Sequence, residues 1–255
     1  MNALETKIEK LKQSKEYQIL ELNSKGLTVE EISTSTGFKQ INIRGILSKH
    51  KVKVNRYKNI NESNELTQLI LGSILGDGNL AKIQNGKIQS RLRVAHCLEQ
   101  EEYCRWKSEI LKNNDLLASV AYFHTFDKRF KEPDYTVIKF SSLSHPIFSK
   151  YRNIFYKNNK NKSINIEEFK KLDNLGLAIW YMDDGTKTKS SMILCTNSFS
   201  KEELILMIDL LKIKFNLDFT LQKNNQLYLR VNSWKHFKSL VEQHIVPCMK
   251  YKIRD

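Results

Sequence analysis

Two apolar segments, Leu69-Ile-Leu-Gly-Ser-Ile-Leu-Gly-Asp-Gly78 and Leu175-Gly-Leu-Ala-Ile-Trp-Tyr-Met-Asp-Asp-Gly185, each run into Asp-Gly. The first has the length, apolarity and terminal glycine of a helix. An aspartate in the last turn of a helix is poorly placed for stability, because the helix dipole favours cations there. One such aspartate needs no explanation. Two, at matching places of similar segments, point to a pair of carboxylates held together to bind a cation. That duplication makes the two apolar helices the natural seam of the fold.

The 255 residues suffice for one large domain or two smaller ones, and 40% of them are apolar, enough for a core. No apolar run is long enough to span a bilayer, and the N-terminal MNALETKIEKLKQSK lacks the apolar stretch of a signal peptide. The expected location is the cytoplasm, or an organellar matrix for an organelle-encoded chain, and not outside the cell. The four cysteines, Cys97, Cys104, Cys195 and Cys248, form no C-x-x-C pair, which argues against structural zinc and against a disulfide framework. Lys and Arg number 42 against 28 acids, a net charge of +14. With no membrane signal, that excess points first to nucleic acid. Between Lys139 and Lys162 there is no acid, and Tyr151, Phe155 and Tyr156 lie among the basic residues.

Residues 1–55 read as a small all-α unit. Tyr17, Ile19, Leu20 and Leu22 supply a first helix ended by Gly26. Thr28 N-caps a second whose first turn carries Glu30 and Glu31. After Gly37, a third helix with Ile41, Ile43, Ile46 and Leu47 carries Lys39, Arg44 and Lys49. The run resembles a helix-turn-helix, with the third helix as the one offered to a DNA groove. A three-helix cap or dimerisation element is the alternative. Residues 56–65, polar and Asn-rich, read as a linker.

Beyond the linker the order helix, strand, strand, helix, strand, strand, helix occurs twice, in units of roughly 90 residues. The expected fold is α+β: a pseudo-twofold pair of αββαββα units, residues 66–165 and 166–255, joined at the apolar helices. Arg91, Arg93, Lys139, Lys189 and Arg230 fall on or beside alternating strands. Two antiparallel sheets with basic faces could form a saddle for a duplex; solvated faces of two open sheets are the alternative.

With these residues in hand, the chain resembles the LAGLIDADG homing endonucleases in their single-chain, two-motif form. ILGSILGDG (Ile70 to Gly78) fits the nine-residue pattern, with Gly72 third and Asp77 eighth. LAIWYMDDG (Leu177 to Gly185) fits at both ends and departs in the middle, where Ile179 replaces the motif glycine and Met182 the small residue. Bulk on the second helix is therefore expected to face Gly72 and Gly76 on the first. The resemblance covers about residues 66 to 255, and the helix-turn-helix lies outside it.

The resemblance implies a divalent-metal phosphodiesterase that cuts both strands of a long, asymmetric DNA site and leaves short 3′ overhangs. Asp77 and Asp184 are the expected metal ligands, with the carbonyls of Gly76 and Asp183 completing the shell. Mg²⁺ suits such oxygen donors, and Mn²⁺ is expected to substitute. Adjacent helix residues point about 100° apart, so the Asp183 side chain is expected toward solvent or one step removed from the metal. The family places a lysine near each active site, and Lys162 and Lys252 match those places. His96 and Asn197, taken as equivalent strand-end residues, are expected to orient water. A monomer is expected. Neither end carries intein splice-junction residues, which favours a free-standing or intron-encoded protein. A non-cleaving DNA-binding regulator and an intron RNA maturase are the competing readings.

Overall fold

The computed structural model describes residues 14–81, 89–128, 134–157 and 161–254. The start of the expected N-terminal unit, residues 1–13, and the last residue, 255, lie outside them. The chain divides into two compact units, Met1–Asn61 and Glu62–Asp255. Among the described residues no helix is long and apolar enough to cross a membrane, and the four cysteines are free.

The smaller unit holds helices α1 (Lys15–Ser24), α2 (Val29–Thr36) and α3 (Gln40–Lys49). Thr28 closes a capping box with Glu31 at the start of α2, satisfying two of the free N–H groups there. Gly26 and Gly37 adopt the left-handed backbone, at φ +91° and +73°, that turns the chain between helices. Ile19, Val29, Ile32, Ile43 and Leu47 form the core. Ile41 is 71% exposed, because α3 offers its Ile43–Leu47 stripe inward and Ile41 falls off it.

The larger unit repeats one plan. Its first half runs α4 (Asn64–Leu75), β1 (Asn79–Leu80), β2 (Leu92–Cys97), α5 (Glu101–Asn113), β3 (Leu117–Phe126), β4 (Asp134–Ser142) and α6 (Pro146–Phe155). A small hairpin, β5 (Tyr156–Lys157) with β6 (Asn161–Lys162), and the single turn α7 (Ile166–Phe169) follow. The second half runs α8 (Asn174–Asp184), β7 (Gly185–Lys187), β8 (Met192–Leu194), α9 (Lys201–Phe215), β9 (Phe219–Leu221), β10 (Leu227–Leu229) and α10 (Val231–Val241). Each half builds a four-stranded antiparallel sheet, in the orders β1-β2-β4-β3 and β7-β8-β10-β9. Two αββαββα units with the same strand order are the expected α+β fold.

The register gives the correspondence residue by residue. Asn79 pairs with Arg93, and Thr186 with Ile193. Both partners of the first kind stand two places past the motif aspartate, so Arg93 answers to Ile193 and His96 to Thr196. Helices α5 and α9 start in step, at Glu101 and Lys201. The expected equivalence of His96 with Asn197 is therefore one residue out. In a strand, one residue changes the face: His96 is buried and Asn197 exposed.

Helices α4 and α8 make the seam. Each is buried almost all round, as a helix hemmed in by its partner and by further helices must be. Ser63 caps α4, and Asp173 caps α8 by accepting from the N–H groups of Leu175 and Gly176.

Candidate active site

The seam closes by setting small residues against large ones. A Cβ on Gly72 would lie 2.6 Å from the Gly176 carbonyl and 2.7 Å from the Ile179 Cβ; one on Gly76 would lie 2.4 Å from the Asp183 Cβ. Ile179 fills the space above Gly72, as the sequence suggested, and Asp183, not Met182, fills that above Gly76. At the far end Gln68 lies over Gly176, donating to Lys171 O and accepting from Asp173 N, each at 2.9 Å. The motif-ending glycines serve proximity and not a left-handed turn. A Cβ on Gly78 would meet the Ser73 carbonyl, and one on Gly185 the Tyr181 ring.

This packing brings the acids to one end of the seam. Asp184 is the last residue of α8, and Asp77 follows the end of α4. Asp77 is open to solvent and Asp184 half-exposed. Protein nonetheless surrounds each on enough sides to disfavour its charge. Burial first, and then the neighbouring Asp183, pushes the Asp77 carboxyl up to about 6. Burial, then Asp77, then Asp183 push Asp184 up to about 7.

Two lysines stand beside them at corresponding places. Lys162 Nζ, on β6, donates to Gly76 O at 2.6 Å. Lys252 Nζ, at the end of a 3₁₀ turn, donates to Met182 O at 2.6 Å and reaches Asp183 O at 3.4 Å. The carbonyls at the end of a helix lack intrahelical donors, and a cation there also meets the negative end of the dipole. Both ammonium groups are shifted below the usual lysine range by burial, against the pull of Asp77, Asp183 and Asp184. The carbonyls of Gly76 and Asp183, expected in a metal shell, thus each already have a lysine beside them. Tyr181 Oη donates to Lys252 O at 2.5 Å, and Gln100 reaches Tyr251 at 3.1 Å, anchoring the tail that carries Lys252.

Asp183 corrects the solvent-facing half of the sequence reading. Its side chain is fully buried in the seam and faces neither solvent nor the outside of the site. Oδ1 accepts from Lys107 Nζ at 2.5 Å and Tyr103 Oη at 2.8 Å, and Oδ2 from Asp77 N at 3.3 Å. The helix ends there. Successive side chains leave in different directions, and Asp183 takes the space that Gly76 leaves open. His96 lies behind, with Nε2 3.5 Å from Lys107 Nζ and 3.9 Å from Asp183 Oδ1, and Nδ1 3.1 Å from Gln100 Oε1. Burial, and then Lys107, lower the His96 pKa to about 4.

The donor set fits a hard divalent cation. Asp77 and Asp184 supply carboxylate oxygens whose mutual repulsion a cation would relieve, while the nearest imidazole is enclosed against Lys107. Oxygen ligands of this kind favour Mg²⁺ or Mn²⁺ over zinc.

Residues 67–237 match the profile of the LAGLIDADG DNA endonuclease family. The chain belongs to this family. It is 30% identical over 209 residues to the DNA endonuclease I-ChuI of Chlamydomonas applanata, covering 73% of this chain and 93% of that one. It is also 30% identical over 207 residues to the cytochrome b mRNA maturase bI2 of Saccharomyces cerevisiae, covering 74% of this chain and 47% of the other. The chain spans about half the length of several of the curated relatives it matches. Among solved structures, the homing endonuclease I-WcaI bound to its DNA recognition sequence superposes with a TM-score of 0.66 at 24% identity, over 82% of this chain and 92% of that one. That likeness shows the fold.

Within this LAGLIDADG chain the other candidate residues are scattered. Arg93 and Lys139 share the exposed face of the first sheet, where Arg93 stands opposite Ser141 and Lys139 opposite Ala95. Lys139 Nζ lies 4.9 Å over the Phe123 ring. Arg91 precedes β2, Lys189 lies between β7 and β8, and Arg230 is the N-cap residue of α10. The corresponding row of the second sheet, Thr186, Ile193, Tyr228 and Thr220, carries no charge. The expectation of two basic sheet faces therefore holds for the first alone: in the second half Lys187 ends β7 opposite Met192, on the other face from that row, and Lys189 and Arg230 lie outside the strands. Asn197 donates to Asn224 O at 2.5 Å, a loop tie. Lys39 and Arg44 are exposed on the smaller unit, whereas Lys49 pairs with Glu16 at 2.8 Å. Sequence reading missed Lys107 and Tyr103. The signal was there: Tyr103, Cys104, Lys107, Ile110 and Leu111 form one buried helical stripe, in which the lysine is out of place.

Proposed function

We propose that the chain is a site-specific endonuclease that hydrolyses both strands of duplex DNA with divalent metal ions, Mg²⁺ in the first place, leaving short 3′ overhangs. The observation that carries this is the meeting of Asp77 and Asp184 at one end of the α4–α8 seam, close enough for Asp77 to raise the pKa of Asp184. Membership in the LAGLIDADG DNA endonuclease family and the likeness to I-ChuI support it.

Asp77 and Asp184 would hold the metal. When bound, such an ion supplies an activated water and a sink for charge at phosphorus and at the leaving 3′ oxygen. Lys162 and Lys252, held at the two helix ends, put positive charge beside the reacting phosphates. Arg93 and Lys139 lie on an exposed sheet face suited to base and phosphate contacts in a major groove. The halves differ in sequence, so the target need not be palindromic. On the smaller unit, Lys39 and Arg44 would add phosphate contacts.

Cleavage of a randomised duplex library with Mg²⁺, followed by sequencing of the cut ends, tests activity, target and overhang together. Recovery of no cut duplex in Mg²⁺ or Mn²⁺ would overturn the reading. The name of the yeast relative favours a second one, action on intron RNA as a maturase. Preference for a folded intron RNA over the selected duplex, in competition at fixed salt, would support it.

A further inference from the structure

The two halves share one plan but differ in most side chains, and at one spot four of those differences meet in a single buried cluster. At the seventh place of the motif, Gly76 stands in the first half and Asp183 in the second. On the helix packed behind, Lys107 answers to Met207 and Tyr103 to Glu203. On the strand, His96 answers to Thr196. Asp183 crosses the seam, so the residues that receive it are those of the first half: Lys107, Tyr103 and His96.

The chemistry explains why these changes come together. A carboxylate whose side chain is fully buried is costly unless paired and hydrogen-bonded. Lys107, itself fully buried, supplies the charge, and Tyr103 a further donor. The second oxygen, Oδ2, accepts from the N–H of Asp77. That N–H needs an acceptor, because α4 ends at Leu75. The N–H groups on either side return to their own helix, Gly76 N to Gly72 O and Gly78 N to Ser73 O. Asp184 lies within α8, and Gly76, which holds in the first half the place of Asp183, has no side chain to offer it.

We propose that Asp183 and Lys107 are a positioning pair, which fixes the main chain under Asp77 and makes the two cleavage centres of the endonuclease proposed above unequal. The pair serves the Asp77 centre and has no counterpart at Asp184. It acts through the Asp77 peptide and touches no reacting atom.

The test replaces the pair with the residues that the other half uses. Asp183→Gly, Lys107→Met and the double variant are compared by NMR hydrogen exchange and by thermal melting. They are then compared by strand-resolved cleavage of the duplex selected from the library. Lys107→Met alone should melt well below the parent, because a buried carboxylate loses its partner, and the double variant should recover much of that loss. In the double variant the Asp77 amide should exchange about tenfold faster, while the amides of β8 and β10 keep their rates. One strand should be cut roughly tenfold more slowly than the other, relative to the parent ratio, the loss usual for groups that orient a metal ligand. An unchanged Asp77 exchange rate, or an unchanged ratio between strands, would overturn the proposal. Should the double variant not fold, Tyr103→Phe removes one donor from Asp183 at nearly constant volume. Faster Asp77 exchange then supports the pair and parental exchange refutes it. A chain that cuts no duplex at all would refute the endonuclease reading, and the exchange at Asp77 would still decide whether the pair holds that main chain.

Discussion

Asp77 and Asp183 are joined across the α4–α8 seam by a hydrogen bond from the Asp77 main-chain N–H to Asp183 Oδ2, at 3.3 Å. The two motifs are therefore coupled by more than packing. The acid that enters the seam is tied to the acid that leaves it for the proposed cation site. The seam has to be rigid at that end, because the carboxylates proposed to hold the metal come from different halves of the chain and are held only as well as the helices that carry them.

Asp77→Asn and Asp184→Asn should each abolish double-strand cleavage, with DNA affinity within a few-fold of the parent. A neutral amide keeps the shape but is a far poorer ligand for a hard cation. Equal cleavage by either variant in Mg²⁺ would contradict the assignment of these acids.

The same two carboxyls predict how metal and pH act on stability. Their folded pKa values, about 6 and about 7, lie above the ordinary 3.8. The folded chain then binds more protons than the unfolded one between about pH 4 and 7. Their contribution to metal-free stability must fall as pH rises through that window. Mg²⁺ should accordingly raise the melting temperature more at pH 7.5 than at pH 5, and less in Asp184→Asn. Melting curves with Mg²⁺ and with EDTA at both pH values measure this, and a metal effect independent of pH would count against it.

Opposite signs are expected for two glycine-to-alanine changes. A Cβ at position 72 meets the Gly176 main chain and the Ile179 side chain at 2.6 and 2.7 Å, so the helices must move apart. Gly72→Ala should cost about 1–3 kcal/mol, the usual penalty of overpacking. Gly45 lies inside α3 with nothing within 4 Å of an added Cβ. Gly45→Ala should stabilise its unit by up to about 1 kcal/mol, the difference in helix propensity. Urea denaturation of the two variants decides both.

The duplicated Asp-Gly endings, the helix and strand periods and the Thr28 cap carried most of the fold in the sequence, because each is a local signal. Ile179 opposite Gly72 was foreseeable from complementary size. What stayed hidden depended on register or on the other half of the chain. The pairing of His96 with Thr196 emerges only when β1–β2 and β7–β8 are aligned by their hydrogen bonds. Asp183 was misread because the 100° rule fixes the angle between neighbours and not which surface each finds at a helix end. Lys107 read as one lysine among many, since its partner lies 76 positions away.

His96 provides a further pH test of opposite sign. Its pKa, lowered to about 4 by burial and then by Lys107, keeps the ring neutral well below the ordinary 6.5. The unfolded chain binds the proton first, so stability present above pH 6.5 is lost as pH falls toward 4. By NMR, one histidine should show no titration down to about pH 5, and its signal should vanish in His96→Gln. That variant should also lose less stability than the parent between pH 6.5 and 4. A ring that titrates near 6.5 would mean that the pocket is open to water.

The smaller unit yields the last prediction, through the salt dependence of binding. Arg44 is exposed on α3, and its one contact among the described residues is a long bond to Gln40 Oε1 at 3.4 Å. Lys49 beside it is already paired with Glu16. If α3 faces the duplex, Arg44→Ala should remove one phosphate contact and lower the slope of log K against log salt by about 0.9. Lys49→Ala should change the slope less, since freeing Glu16 and losing Lys49 act on a pair that is already neutral. Filter binding from low to moderate salt with the selected duplex measures both. Identical slopes for the parent and Arg44→Ala would remove α3 from the DNA interface and leave the three-helix unit as a cap.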